Sequence, residues 1–196
     1  MVEARRVFRA GKTPASLWNV ANLITFLRII CTPFFIYLLV SEPADSTSGA
    51  RWLALVLFVL STVSDGIDGY LARSRNLGTS LGVLLDPIAD KVVIGGALIA
   101  LSVTDELPWW ITVVVLVREI GITVYRMSIV HREIHAASWG GKVKTTVQSV
   151  AVAFAIAPFP AILGGWFNWV NIALMAAAVG LTITTGVEYL WKATRR

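Results

Sequence analysis

Apolar runs of about 20 residues, the length needed to cross the hydrocarbon core of a bilayer, recur along the chain with short polar connections between them. They fall at approximately 20–40, 51–73, 83–103, 108–130, 145–164 and 167–190. Each is read as a helix. The pattern therefore predicts an all-α integral membrane protein of six transmembrane helices, forming one domain over residues 1–196. Residues 1–18 remain as a cytoplasmic or juxtamembrane segment. There Thr13-Pro14 suits an N-cap and first helical residue, and Ala15-Ser16-Leu17-Trp18 suits a short helix along the inner surface. A basic tail through Lys12 is the plainer alternative.

Composition strengthens this picture. Hydrophobic residues make up 56% of the chain and charged residues 15%, with a mean hydropathy of +0.72, which excludes an ordinary soluble domain. The basic amino terminus runs into a full-length span without a small-residue cleavage pattern, so that span is expected to be retained. Cys31 is the lone cysteine, which excludes an intrachain disulfide and reads as a small buried apolar residue. No linker, repeat or low-complexity tract interrupts the chain, and Ser41–Ala50 reads as an outer loop.

Charge gives the orientation. Arg5, Arg6, Arg9 and Lys12 precede the first span, Arg73 and Arg75 follow the second, Arg132, Lys142 and Lys144 lie between the fourth and fifth, and Lys192, Arg195 and Arg196 end the chain. By the positive-inside rule these sides are cytoplasmic, and both termini lie inside. The opposite connections carry Glu42, Asp45, Asp105 and Glu106, with Arg51 as the exception. Trp18, Trp52, Trp109, Trp110, Trp139, Trp166, Trp169 and Trp191 all fall at span ends or in connections, where amphipathic rings prefer the headgroup level.

Against this background the four aspartates Asp65, Asp68, Asp86 and Asp90 stand out. Each carboxylate near a bilayer centre costs on the order of 3 kcal/mol on insertion scales, so a cluster of them calls for a function. Spacings of three and four put each pair on one helical face, and a short connection makes the two helices antiparallel neighbours. Both faces then converge on one polar cavity open to the cytoplasm. Mutual repulsion in a low dielectric requires neutralising cations. An all-oxygen donor set favours Mg²⁺ or Mn²⁺, and two divalent ions balance four carboxylates. Such two-metal sites suit displacement at phosphorus.

Gly66, Gly69, Ala72 and Gly82 clear one side of that cavity, although close helix packing through small residues explains any single one of them. Arg73 stands where the cavity meets the cytosol. Arg28, Lys91, Arg118 and Glu119 lie at a similar depth. Adjacent residues do not share a helix face, so Arg118 is assigned to the cavity and Glu119 to a neighbouring helix. Gly140-Gly141-Lys142-Val143-Lys144-Thr145-Thr146 offers cations and backbone donors to an anion near a helix start, or else obeys the positive-inside rule. Arg126 adds to the former reading. His131 and His135 have helical ligand spacing but no third partner, which makes a zinc site a weak reading.

The pattern Asp-x2-Asp-Gly-x2-Ala-Arg-x8-Gly-x3-Asp-x3-Asp, complete here from Asp65 to Asp90, resembles the signature of the CDP-alcohol phosphotransferase family. The resemblance implies six transmembrane helices, a cytoplasm-facing cavity, a homodimer, and transfer of a phospho-alcohol group from a CDP-linked donor to a hydroxyl with release of CMP. It also implies that Asp65, Asp68 and Asp86 are metal ligands and that Asp90 is both a ligand and the catalytic base. Gly66, Gly69, Ala72, Arg73 and Gly82 would accommodate the CDP part. Three further segments are similar to a bacterial branch that uses CDP-diacylglycerol, glycerol 3-phosphate and Mg²⁺ in the cell membrane. These are Asn22–Arg28, Val117–Ile120 with Tyr125-Arg126, and Gly141–Gln148. On that resemblance Arg118, Arg126, Lys142 and Lys144 face the acceptor's phosphate, with Thr25 and Arg28 nearby. Partners are then the two substrates and membrane lipids, with no nucleic acid. The alternatives are sister enzymes making cardiolipin or phosphatidylinositol phosphate, and, in a different class, a divalent-cation transporter. The transporter calls for a polar path through the outer halves of the spans, which are almost free of charge.

Overall fold

The computed structural model describes residues 20–43, 46–74, 80–129 and 139–194. Among them every regular element is helical: α1 (Val20–Val40), α2 (Gly49–Ser74), α3 (Ser80–Val103), α4 (Trp109–Ile129), α5 (Trp139–Ile156), the short α6 (Phe159–Leu163) and α7 (Phe167–Thr194). The expected juxtamembrane helix before Trp18, and His131 and His135, lie outside the described residues.

Five of the six expected spans coincide with single long helices. The fifth does not. A span over 145–164 was expected, whereas α5 starts at Trp139 and stops at Ile156, and α6 follows it. Pro158 and Pro160 lack the N–H groups that would continue the ladder, so the helix ends where they begin. The early start also puts Gly140 and Gly141 inside the first turn of the helix, not in a loop before it.

Burial is arranged as in a protein placed in lipid. Leu23, Phe26, Leu27, Ile30, Phe34 and Tyr37 of α1 are all at least half exposed, while Thr25, Arg28 and Thr32 of the same helix are buried. Apolar surface on this scale is not left open by a soluble monomer. Two helical stretches, Leu23–Val40 and Phe167–Tyr189, are long and apolar enough to cross a membrane, and Gly49–Ser64 and Val143–Ile156 are shorter apolar stretches. Hydroxyl groups are made compatible with these surroundings by bonding within their own helices. Thr32 donates to the Arg28 carbonyl at 2.8 Å, Thr62 to Phe58 at 2.8 Å and Thr182 to Ala178 at 2.7 Å.

Helix α1 packs on α2 and α3, α3 on α4 and α5, and α7 on α4 and α5. The core between them runs from Phe35 and Leu39 through Phe58, Leu98 and Leu101 to Val115, Val152 and Ile156. Phe35 meets Phe58 edge to face at 5.9 Å. Helix α3 occupies the middle because Gly95 and Gly96 remove side chains on two sides. A Cβ at Gly96 would lie 2.6 Å from Ile36 Cδ1 of α1, and one at Gly95 would lie 3.0 Å from Leu116 Cδ2 of α4.

The end of the bundle that carries the α3–α4 turn is closed by a buried ion pair. The turn passes through Asp105, whose φ of +59° is one of the few left-handed conformations a non-glycine residue tolerates. It delivers Glu106 to Arg51 of α2, whose Nη1 donates to Glu106 Oε1 at 2.9 Å and whose Nη2 reaches Oε2. Arg51 Nε donates to the Ile156 carbonyl at 2.8 Å, satisfying an oxygen orphaned where α5 stops. Thus the cation that breaks the charge pattern is neutralised inside the fold. Beside it Trp52, Phe154, Phe159 and Phe167 form an aromatic cluster that fixes α6 against α5 and α7.

Truncating one partner of a buried pair leaves the other charge unpaired, at about 3–5 kcal/mol. Glu106→Ala should therefore lower the thermal unfolding midpoint in detergent far more than Glu42→Ala, and Arg51→Met combined with Glu106→Met should recover most of the loss. Equal midpoints for the two single variants would refute this account of the pair.

Candidate active site

Helices α2 and α3 carry the four aspartates and run without a break through all of them. Asp68 and Asp86 stand equally far from the facing ends Ser74 and Ser80, about 9 Å at ~1.5 Å per residue. Asp65 and Asp90 lie roughly one turn deeper. The side chains of Asp65, Asp68 and Asp86 lie outside the described residues, as do those of Gly69, Ala72, Arg73, Gly82, Arg126 and Lys142. Gly66 is exposed on α2, with open space where a Cβ would stand. Thr25 and Arg28 are buried on α1, the helix that packs on both aspartate helices.

Asp90 is half-buried and opens one wall of a cavity of about 60 Å³ between α3, α4 and α5. Its polar lining is Asp90 and Lys91 of α3, Glu119 of α4, and Lys144, Thr145 and Gln148 of α5; Ile94, Val115 and Leu116 supply the apolar floor. The volume suits a few waters or a small polyol fragment.

Glu119 organises the charges. Its Oε1 accepts from Lys144 Nζ and, at 2.9 Å, from Arg118 Nη1, while its Oε2 accepts from Lys91 Nζ. Lys91 Nζ also lies 3.6 Å from Asp90 Oδ2. Lys144 and Glu119 are almost fully buried, whereas the Lys91 side chain is 31% exposed. Among the described residues, Lys91, Lys144 and Arg118 thus gather around Glu119, and Lys91 links this cluster to Asp90.

The expected division of Arg118 and Glu119 holds in one half: Glu119 meets neighbouring helices through Lys91 of α3 and Lys144 of α5, but the cavity does not receive Arg118. Glu119, not Arg118, lines the cavity. Arg118 turns towards α7, where Nη2 donates to Thr185 Oγ1 at 2.8 Å, and Gly186 leaves room for its stem, since a Cβ there would lie 3.2 Å from Arg118 Cγ. The backbone argument about adjacent residues holds, but the long arginine arm folds back to reach its neighbour's carboxylate. Lys91 was placed at this depth by the sequence but given no role, and Gln148 was not singled out. The signal for Gln148 was present in helical spacing, because Lys144 and Gln148 are four apart and share a face.

A profile described as CDP-alcohol phosphatidyltransferase matches residues 18–183 of the chain. A Mycobacterium tuberculosis protein named "Probable phosphatidylglycerophosphate synthase" is 42% identical over 181 residues, covering 92% of this chain and 84% of that protein. Two proteins named CDP-diacylglycerol--glycerol-3-phosphate 3-phosphatidyltransferase are also similar. The one from Bacillus subtilis is 34% identical over 90% of this chain and 95% of its own length. That from Escherichia coli K12 is 35% identical over 88% of this chain and 93% of its own length.

Glu119→Gln would leave Lys91, Lys144 and Arg118 around a neutral amide, and should destabilise the protein by about 3–5 kcal/mol. Lys91→Met, which removes a partly solvated cation, should cost less than half as much. Thermal unfolding of the two variants in detergent checks the order; a larger loss for Lys91→Met would contradict the central place of Glu119.

Proposed function

The chain belongs to the CDP-alcohol phosphatidyltransferase family, and from that premise we propose that it transfers the phosphatidyl group of CDP-diacylglycerol to sn-glycerol 3-phosphate. The products are phosphatidylglycerophosphate and CMP. The observation that favours a phosphate-monoester acceptor over phosphatidylglycerol is the cationic cluster around Glu119, which adjoins Asp90; glycerol 3-phosphate is preferred to inositol phosphate on the names of the relatives. Relatives named for this reaction match over most of their length.

Asp90 is the base in this reading. It takes the proton from a hydroxyl of glycerol 3-phosphate as that oxygen attacks the phosphatidyl phosphorus, and the bond to the CMP oxygen breaks. Asp65, Asp68, Asp86 and Asp90 would hold the divalent ions, two Mg²⁺ or Mn²⁺. The fit rests on an all-carboxylate donor set at matched depth on two helices joined by a short connection. When bound, such ions neutralise the donor's diphosphate and stabilise the attacking and leaving oxygens. Gly66, Gly69, Ala72, Arg73 and Gly82 make room for the cytidine diphosphate and grip it. Lys144 has one of its three protons on Glu119 and two left for an anion. Arg126 and Lys142 complete the acceptor's surroundings, with Thr25 and Arg28 supplied by α1, while Arg118, turned towards α7, steadies Glu119.

The six long helices cross the cell membrane with both termini and the aspartates on the cytoplasmic side, and a homodimer is the working assembly. Neutralisation of Arg51 by Glu106 supports this orientation, because it removes the exception to the positive-inside pattern.

Purified protein with CDP-diacylglycerol and Mg²⁺ should release CMP with glycerol 3-phosphate, and not with phosphatidylglycerol or inositol phosphate. Release with either of those alone would transfer the assignment to a sister activity. Asp90→Asn should abolish turnover yet retain metal and donor binding better than Asp65→Asn, as read by metal titration. Equal loss of metal affinity in both variants would remove the distinction between base and ligand.

A further inference from the structure

Gln148 is 2% exposed, lines the cavity beside Asp90, and its Oε1 has no hydrogen-bond partner. A buried carbonyl oxygen is rarely left in that condition unless something else completes it. Its polar neighbours on α5 are otherwise engaged. Thr145 donates its hydroxyl to the Gly141 carbonyl at 3.1 Å, and Ser149 donates to the Thr145 carbonyl at 3.0 Å. On α4, both Glu119 oxygens are taken by cations. The unpaired Oε1 therefore calls for a hydrogen-bond donor, and Gln148 lines the same cavity as the proposed base and Lys144.

We propose that Gln148 is a specificity-determining residue, whose Oε1 accepts a hydrogen bond from the acceptor hydroxyl that does not react. The proposal rests on the reading that the acceptor is glycerol 3-phosphate. Such a molecule carries a reacting hydroxyl for Asp90 at one end, a phosphate for the Lys144 side at the other, and a second hydroxyl between them. Without that middle hydroxyl, Oε1 stays buried and unpaired throughout the reaction. A site built to receive a hydroxyl discriminates against the analogue that lacks it for this reason.

The test compares two acceptors in the full-length protein with CDP-diacylglycerol and Mg²⁺: glycerol 3-phosphate and 3-hydroxypropyl phosphate, which lacks only the middle hydroxyl. CMP release gives kcat/KM for each. The unaltered protein should prefer glycerol 3-phosphate by roughly 10- to 100-fold. Gln148→Met, of similar volume, should bring the two acceptors within about threefold by lowering kcat/KM for glycerol 3-phosphate, with KM for CDP-diacylglycerol unchanged. Gln148→Glu keeps acceptor oxygens and should keep the preference. Because each ratio is internal to one preparation, partial loss of folded protein does not alter it. An unchanged ratio in Gln148→Met, or an equal fall with both acceptors, overturns the proposal and leaves the activity standing. No CMP release by the unaltered protein with either acceptor removes the activity and the proposal together.

Discussion

A carboxylate that must hold its cations inside an apolar bundle is the interaction on which the described site depends. Glu119 sits on α4 and takes Lys91 from α3, Lys144 from α5 and its own neighbour Arg118, which in turn reaches α7. Four helices are thereby tied at one point. An exposed ion pair contributes little because water competes for both partners. Here burial makes each missing partner expensive, so the arrangement fixes side chains that would otherwise have many rotamers.

A second buried pair at the other end of the bundle obeys the same constraint with a different outcome. Arg51 is buried with each of its three nitrogens bonded, to Glu106 and to the carbonyl that ends α5. Around Glu119, among the described residues, three cations meet on one carboxylate, and Lys91 remains partly open. One pair is closed and structural. The other cluster retains charge with which to meet an anion, and it adjoins the helix face of Asp90. The close approach of α3 to both α1 and α4, made possible by Gly95 and Gly96, places that face at the centre of the bundle.

The all-helical class, the limits of five long helices and the aspartate motif were legible in the chain because each depends on local properties. Apolar length sets a span, and spacing of three or four sets a face. The one misplaced span, 145–164, ignored Pro158 and Pro160, a local signal outweighed by hydropathy. Arg118 departs from expectation for another reason. A rule about backbone faces says where a side chain starts, and a long arginine arm can still return to its neighbour.

The sequence by itself determined an all-helical apolar chain, the family motif and the spacing of its aspartates along two helices, since these follow from composition and from residues close together along the chain. Only the tertiary structure decided which charges meet. Residues 51 and 106, 91 and 119, and 119 and 144 are remote in sequence, and their pairing follows from how helices cross. The orphaned oxygen of Gln148 belongs to the same class, because a missing partner becomes visible only when every neighbour has been placed.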